Sequence, residues 1–243
     1  MVEGPSAGNV QPRVVALVPM RHASERVPQK NFRLLAGKPL YAHILETLQA
    51  CAQVAQIVVD TDSPTIWDGI EAGFPEIVLL DRPERLRGGH VPMNEVLQHD
   101  VSQVPAQYYL QTHSTNPLLK AATIGRALEE FFAAYPGNDS LFSVTRLQAR
   151  LWNAETKPLN HDPAELIRTQ DLAPVFLENS CLYIFERESF LQRGNRIGNS
   201  PIRFEIEAEE AIDIDRESDF ALVECLTGTR GNQSALSKDP GRG

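Results

Sequence analysis

Five consecutive aliphatic residues, Val14-Val15-Ala16-Leu17-Val18, give way at Pro19 to the polar run Met20-Arg21-His22-Ala23-Ser24-Glu25-Arg26. A short apolar run without alternation fits a strand covered on both faces, as in the parallel sheet of an α/β protein, so Arg13 to Val18 is expected to be a strand. Apolar residues at helical spacing follow from Leu40 to Gln53, and Gln56 to Asp60 reads as a second short strand. The alternation continues with a helix over Pro64 to Gly73, a strand over Ile77 to Leu80, a helix over Met93 to Val101 and a strand over Tyr108 to Gln111. A long helix over Ala121 to Tyr135 and a strand over Leu141 to Thr145 complete it. Such a βα rhythm predicts a three-layer α/β/α sandwich around a mostly parallel sheet. From Leu147 to Arg203 it breaks: prolines stand at 158, 163, 174 and 201, and the apolar run Cys181 to Phe185 has no repeat around it. This stretch is expected to form an inserted β-rich lobe, about residues 147–205. The pattern resumes at Ala211-Ile212-Asp213-Ile214-Asp215 and a closing helix to about Leu226. One domain over 13–226 is therefore expected, between Gly-, Pro- and Ser-rich tails at 1–12 and 227–243 that are expected to be mobile.

Composition narrows the function. With 243 residues, 42% of them apolar, the chain can bury a substantial core. Its formal charge of -9 with no basic tract argues against a nucleic-acid or anionic-membrane partner. No apolar run approaches the ~20 residues needed to span a bilayer, and the first residues lack the features of a secretory leader. Three widely spaced cysteines, Cys51, Cys181 and Cys225, fit a reducing compartment better than a disulfide framework or a zinc site. A soluble cytoplasmic protein is expected.

Against that acidic background the loop after the first strand is locally basic, with Arg21, Arg26 and Lys30 at the strand's carboxyl end, where α/β sheets bind ligands. It reads as a site for a small polyanion, although any one of these arginines could equally be a surface cation paired with a neighbour. Phosphates would be held mainly by side chains. Gly37-Lys38 is followed by Pro39 and lacks the rest of a P-loop, and Met20 to Asn31 contains no glycine for a dinucleotide fingerprint. The second constellation is Asp213-Ile214-Asp215. On an extended backbone its carboxylates would share one face about 6.6 Å apart, with Ile214 turned into the core, and such a pair can hold a hard cation such as magnesium. The competing reading makes Asp215 the N-cap of the closing helix with Asp213 solvated. Asp62 is open in the same way, as a ligand-side carboxylate or a cap.

In order along the chain, the strand with Pro19 and Arg21, then Ser24, Arg26, Pro28, Lys30-Asn31 and Leu35-Ala36-Gly37-Lys38-Pro39-Leu40, resembles the acylneuraminate cytidylyltransferases. Val59-Asp60-Thr61-Asp62, Arg82-Pro83, Thr115-Asn116-Pro117-Leu118, Arg168-Thr169-Gln170-Asp171-Leu172 with Glu178-Asn179, and Asp213-Ile214-Asp215 continue the resemblance over about residues 13–226. It implies the fold of the nucleotide-diphospho-sugar transferases and a magnesium-dependent transfer of CMP from CTP to the anomeric hydroxyl of a sialic-acid-like 2-keto-3-deoxy sugar acid, with release of pyrophosphate. On this resemblance Arg21, Lys30 and Asp215 are catalytic. Leu17, Pro19, Met20, Arg21, Ser24, Lys30, Asn31 and Arg82 hold the nucleotide, cytosine lying against the backbone around Leu17 to Met20. Asp213 and Asp215 hold the metal, and His113, Thr115, Arg168 and Gln170 line the sugar-acid pocket. His113 also has a purely structural reading, as a satisfied donor at a strand end.

The resemblance further implies a homodimer in which the lobe of one subunit approaches the other's site. Trp152, Phe176, Tyr183 and Phe185 are candidate interface aromatics or, alternatively, the lobe's own core. The chain departs from the family pattern at four places. His22-Ala23 replaces Gly-Gly and is expected to carry larger side chains towards the triphosphate, Glu25 replaces a lysine, Gly89 stands where an aspartate is common, and His113 stands at the family's glutamine while Gln111 lies two residues earlier. These leave two other readings: the same architecture with another acceptor (3-deoxy-manno-octulosonic acid, a sugar phosphate or a phosphonate), or a non-catalytic nucleotide-binding paralogue.

Overall fold

The computed structural model describes residues 12–24 and 26–236, with side chains to residue 228. The expected tail at 1–12 lies, except for its last residue, outside the described residues. The basic segment opens from β1 (Val14–Leu17), then folds into a 3-10 turn at Lys30–Phe32 and a small hairpin of β2 (Leu34–Leu35) and β3 (Lys38–Pro39). Next come α1 (Leu40–Gln49), β4 (Val54–Thr61), α2 (Pro64–Gly73) and β5 (Val78–Asp81). Then follow α3 (Met93–Gln103), β6 (Tyr108–Thr112), α4 (Ala121–Ala134) and β7 (Ser140–Leu147). The remainder is β8 (Val175–Glu186), α5 (Arg187–Arg193), β9 (Pro201–Glu205) and α6 (Glu217–Leu236).

Seven strands form one sheet in the order β5-β4-β1-β6-β8-β7-β9. Only β8 runs against its neighbours, so the sheet is mostly parallel, as the βα rhythm predicts. The side-chain alternation of β1 divides the core. Val14, Ala16 and Val18 face one cluster with Ile44, Leu45 and Leu48 of α1, Ile66 and Ile70 of α2, and Ile124, Leu128 and Phe131 of α4. Val15 and Leu17 face the other, with Leu97 and Val101 of α3 and Phe190 of α5. Helices thus cover both faces, and a strand buried on both faces reads as an unbroken apolar run.

Sequence order reverses direction in the sheet at β1: β4 and β5 extend on one side and β6 on the other. At such a switch point the loops leaving adjacent strands diverge and open a crevice at the carboxyl ends. The segments after β1 and β6 flank it.

The structure differs from expectation in four elements. First, α1 stops at Gln49, and Cys51 turns inward before β4 starts at Val54. Second, the run Cys181 to Phe185 is not part of a lobe: it is the central part of β8, paired on both sides and wholly buried. Tyr183 and Phe185 are consequently core residues rather than interface aromatics. The segment that leaves the sheet is the stretch between β7 and β8, together with their outer ends, where Leu147 pairs with Val175. Third, Asp213 to Asp215 are irregular rather than a strand, and fourth, α6 continues past Leu226 to Leu236. Positions 237–243 of the expected tail lie outside the described residues.

A third small cluster joins Leu35, Leu40 and Leu118 to Ile214, Phe220 and Val223. It seats α6 on the hairpin that ends the basic segment. Arg33 reinforces this contact, its guanidinium 3.9 Å from the Phe220 ring centroid and its Nη1 2.6 Å from Glu217 Oε2.

Candidate active site

The crevice at the switch point is a cleft of about 500 Å³. Pro19, Met20, Arg21, Ser24, Lys30, Asn31, Arg82, His113, Thr115, Asp213 and Asp215 all line it. Three of the sequence candidates do not. Leu17 is wholly buried in the core beneath it. Arg168 and Gln170 lie on or beside a short 3-10 turn at Thr169–Asp171, outside the cleft of their own chain. There Arg168 is exposed and makes a bidentate pair with Asp171, at 2.7 and 3.1 Å.

The basic segment is held to the edge of β4. Met20 N–H donates to Asp60 O at 2.8 Å and His22 N–H to Asp62 Oδ1 at 2.7 Å. Ser63, not Asp62, caps α2, its hydroxyl accepting from Ile66 N–H, with Pro64 at the first helical position. The His22 ring bonds Ser63 Oγ at 2.7 Å and packs on Phe32. His22 therefore turns away from the cleft, contrary to the expectation that it faces the triphosphate, and only Ala23 of the pair lines it. Glu25 lies outside the described residues. Asn31 closes the segment: its Nδ2 donates to Arg21 O at 2.8 Å, and its Oδ1 accepts from Ser114 Oγ–H at 2.7 Å.

The opposite wall is the segment before α6. Ile214 N–H donates to Thr115 O at 2.9 Å, and Asn116 Nδ2 donates to Ile212 O at 3.3 Å. Asp219 accepts from Asp215 N–H and Arg216 N–H, at 3.0 and 2.8 Å. Asp219 therefore caps this turn, and Asp215 keeps its carboxylate for the cleft. Arg26 Nη1 approaches Asp215 Oδ2 at 2.9 Å, and Lys30 Nζ donates to Ile214 O at 2.5 Å with Asp215 Oδ1 at 3.5 Å. Asp213 is different: burial pushes its carboxyl pKa up, partly offset by a hydrogen bond from Thr115. Its buried Oδ1 has no hydrogen-bond partner. Two carboxylates facing one cleft, one with an orphaned buried oxygen, fit a hard divalent cation.

Arg82 enters from the end of β5 and is almost wholly buried. Its Nε donates to Asp60 Oδ1 at 2.5 Å and its Nη2 to Asp60 O at 3.1 Å. Behind Asp60 stands Asp100 of α3, pushed up to about 9 by burial and by its carboxyl contact with Asp60. Asp100 is thus protonated at neutral pH, and its proton, shared with Asp60, accounts for two of the three buried oxygens of this pair that otherwise have no partner. Asp60, His99 and Asp100 together have metal-ligand spacing, but the Arg82 guanidinium already occupies the cationic place beside Asp60. Across the cleft, burial first and then the Arg196 and Lys30 cations push His113 down to about 3, so its imidazole is neutral.

Sequence reasoning missed Ser114 and Arg196. Ser114 could have been found between His113 and Thr115; Arg196 could not, because it lies in a stretch without periodicity and reaches the site only through the fold.

The chain matches a family model described as cytidylyltransferase over residues 15–237. It is 27% identical over 218 residues to an N-acylneuraminate cytidylyltransferase of Oncorhynchus mykiss, covering 87% of this chain and 49% of that protein. It is 28% identical over 238 residues to a CMP-N,N'-diacetyllegionaminic acid synthase of Legionella pneumophila, covering 92% of this chain and 99% of that protein. The chain thus spans about half the length of the first vertebrate relatives and nearly all of the bacterial one. Among solved structures, a CMP:2-keto-3-deoxy-manno-octonic acid synthetase complexed with CTP superposes with a TM-score of 0.68 at 17% identity, over 90% of this chain and 99% of that one. At that identity the likeness shows the fold alone, a mostly parallel α/β/α sandwich. With a family match running from β1 into α6, this chain belongs to the cytidylyltransferase family.

Proposed function

We propose that this protein transfers CMP from CTP to the anomeric hydroxyl of a sialic-acid-like 2-keto-3-deoxy sugar acid and releases pyrophosphate. The observation that carries this reading is the convergence of Arg21, Lys30 and Arg82 with the Asp213 and Asp215 carboxylates on one cleft at the sheet's switch point. Nucleotidyl transfer asks for charge neutralisation and in-line positioning more than for covalent help, and such a cleft supplies both. Arg21 and Lys30 offset charge on the triphosphate and the leaving pyrophosphate, and Asn31 holds their segment in shape. Pro19 and Met20 offer backbone groups and Ser24 a hydroxyl to the nucleotide, and Arg82, held by Asp60, adds pre-oriented N–H donors. Asp213 and Asp215 would hold magnesium, which when bound neutralises phosphate charge and lowers the pKa of a coordinated hydroxyl. The acceptor would lie against His113 and Thr115. Names of relatives point the same way: one is an N-acylneuraminate cytidylyltransferase, one a CMP-N,N'-diacetyllegionaminic acid synthase, and another a 3-deoxy-manno-octulosonate cytidylyltransferase.

We further propose a homodimer. Arg168 and Gln170 sit on the segment that leaves the sheet, as do Leu159, Leu166 and Leu177, which are more than half exposed. A partner's cleft would give the two polar residues an anionic ligand and the leucines a cover. No helix among the described residues is long and apolar enough to cross a membrane, and none of the three cysteines is in a disulfide, which supports a cytoplasmic setting.

The test is pyrophosphate release from CTP and magnesium with a panel of nine-carbon sugar acids, 3-deoxy-manno-octulosonic acid, sugar phosphates and phosphonates. Release with a nine-carbon acid supports the reading. Release only with another acceptor class reassigns the substrate, and CTP binding without release from any acceptor makes the chain a nucleotide-binding paralogue.

A further inference from the structure

Behind the acceptor end of the cleft runs a part-buried hydrogen-bond chain centred on the buried Gln111. Arg196 lies between α5 and β9, with its guanidinium 3.6 Å from the Tyr183 ring centroid. The Tyr183 hydroxyl is itself held by Glu178 and by Ser180 Oγ, so the shelf beneath the guanidinium is fixed. Arg196 Nη1 donates to Gln111 Oε1 at 2.5 Å. Gln111 is wholly buried on β6; its Nε2 donates to Thr112 O at 3.0 Å and lies 3.0 Å from His113 Nε2.

These neighbours decide the amide's orientation. A guanidinium offers only hydrogens and a carbonyl only lone pairs, so Oε1 must face Arg196 and the NH2 must face Thr112. The second hydrogen of that NH2 is then directed at His113 Nε2, which must accept it. A neutral imidazole that accepts at Nε2 carries its proton on Nδ1. Protonating both nitrogens would set an N–H against an N–H, with Arg196 and Lys30 nearby.

We propose that Arg196, acting through Gln111, is a positioning residue that holds His113 as the neutral Nδ1–H tautomer, so that His113 donates a hydrogen bond to an oxygen of the acceptor and does not act as the base for its hydroxyl. This rests on the sugar-acid reading for the identity of the acceptor, but not for the tautomer. The consequence is a specificity device: a neutral donor accepts a carboxylate, carbonyl or hydroxyl oxygen and disfavours a cationic group. It also leaves deprotonation of the attacking hydroxyl to groups on the Asp213–Asp215 side of the cleft.

The experiment is nitrogen-15 NMR of the histidine rings in the full-length protein at pH 7, with His113 assigned from the signals lost in His113→Asn. An Nδ1-protonated neutral ring is expected; an Nε2–H tautomer or an imidazolium in the wild type overturns the proposal. Arg196→Met keeps contact with Tyr183 but frees the amide of Gln111. It should mix the two tautomers and raise KM for the acceptor about fivefold while KM for CTP stays unchanged, since a lost hydrogen bond costs about 1 kcal/mol. An unchanged tautomer in folded Arg196→Met also overturns it. Gln111→Glu gives an independent arm: a carboxylate cannot donate, so His113 should become protonated at Nε2, and retention of the wild-type pattern counts against the relay. Should no sugar acid support pyrophosphate release, the transfer reading falls, and the ring signals still decide the tautomer.

Discussion

Arg82 has its charge matched by the protein before any ligand arrives, and the way it is matched shapes how the site responds to pH. Asp60 and Asp100 stand together behind it with a single proton between them, Asp100 being raised to about 9 by burial and by Asp60. In the unfolded chain an aspartate titrates near 4, so between about pH 4 and 9 unfolding releases a proton from Asp100. The folded state's advantage from this group is complete below the unfolded value and is lost as pH rises through 9. Urea midpoints should therefore fall from pH 5 to pH 9, and Asp100→Asn, which donates to Asp60 at every pH, should flatten that slope; an equal slope in the variant refutes the shared proton. In the cleft, Asp215→Ala and Lys30→Met should each lower the rate of pyrophosphate release by about 100-fold or more with an unchanged circular dichroism spectrum, the usual cost of removing one preorganised charge from a phosphoryl site. Near-wild-type release in Asp215→Ala would remove that residue from the reaction.

At the scale of elements, the two walls of the cleft depend on how α6 is seated. Ile214 points into the cluster of Leu35, Leu40, Phe220 and Val223, and this burial turns Asp213 and Asp215 outward on either side of it. Alternation of side chains was the reason for expecting this geometry, and it holds although the segment is not a strand: one buried hydrophobe between two polar residues, pinned by the Thr115 carbonyl, gives the same placement. Ile214→Ala should destabilise the protein by about 2–4 kcal/mol, read from denaturant midpoints, and should lower activity even where the variant remains folded. Where the apolar pattern was strong, as in the unbroken run of β1 and the helical spacing of α4, element and boundary agree closely with the sequence reading. It failed for β8, because an antiparallel strand buried on both faces and bounded by irregular loops reads the same as the strand of a separate lobe.

At the scale of the molecule, the segment between β7 and β8 projects from the sheet with Leu166 almost fully exposed and Trp152 about half exposed, the latter edge-on to His161. If these residues cover a second copy, light scattering should give twice the 27.0 kDa chain mass at micromolar concentration. Leu166→Asp should shift the protein to monomer, and Arg168→Ala should raise KM for the acceptor without changing the binding of CTP. A monomeric wild type with full activity would leave Arg168 and Gln170 without a role in the cleft.

Local order along the chain was enough to predict the sandwich, the mostly parallel sheet, the basic segment after β1 and the Asp-Ile-Asp pair, because buried strands and amphipathic helices write their environment into neighbouring residues. It could not show that His22 turns away, that Asp219 rather than Asp215 caps the final turn, or that Arg168 lies outside its own cleft. Nor could it show that Arg196, from the irregular stretch between α5 and β9, meets Gln111 behind His113. Those facts depend on which polar groups meet across the sheet's carboxyl edge. Only the packed structure brings them within hydrogen-bond distance, where burial makes each unpaired donor or acceptor costly enough to decide its orientation.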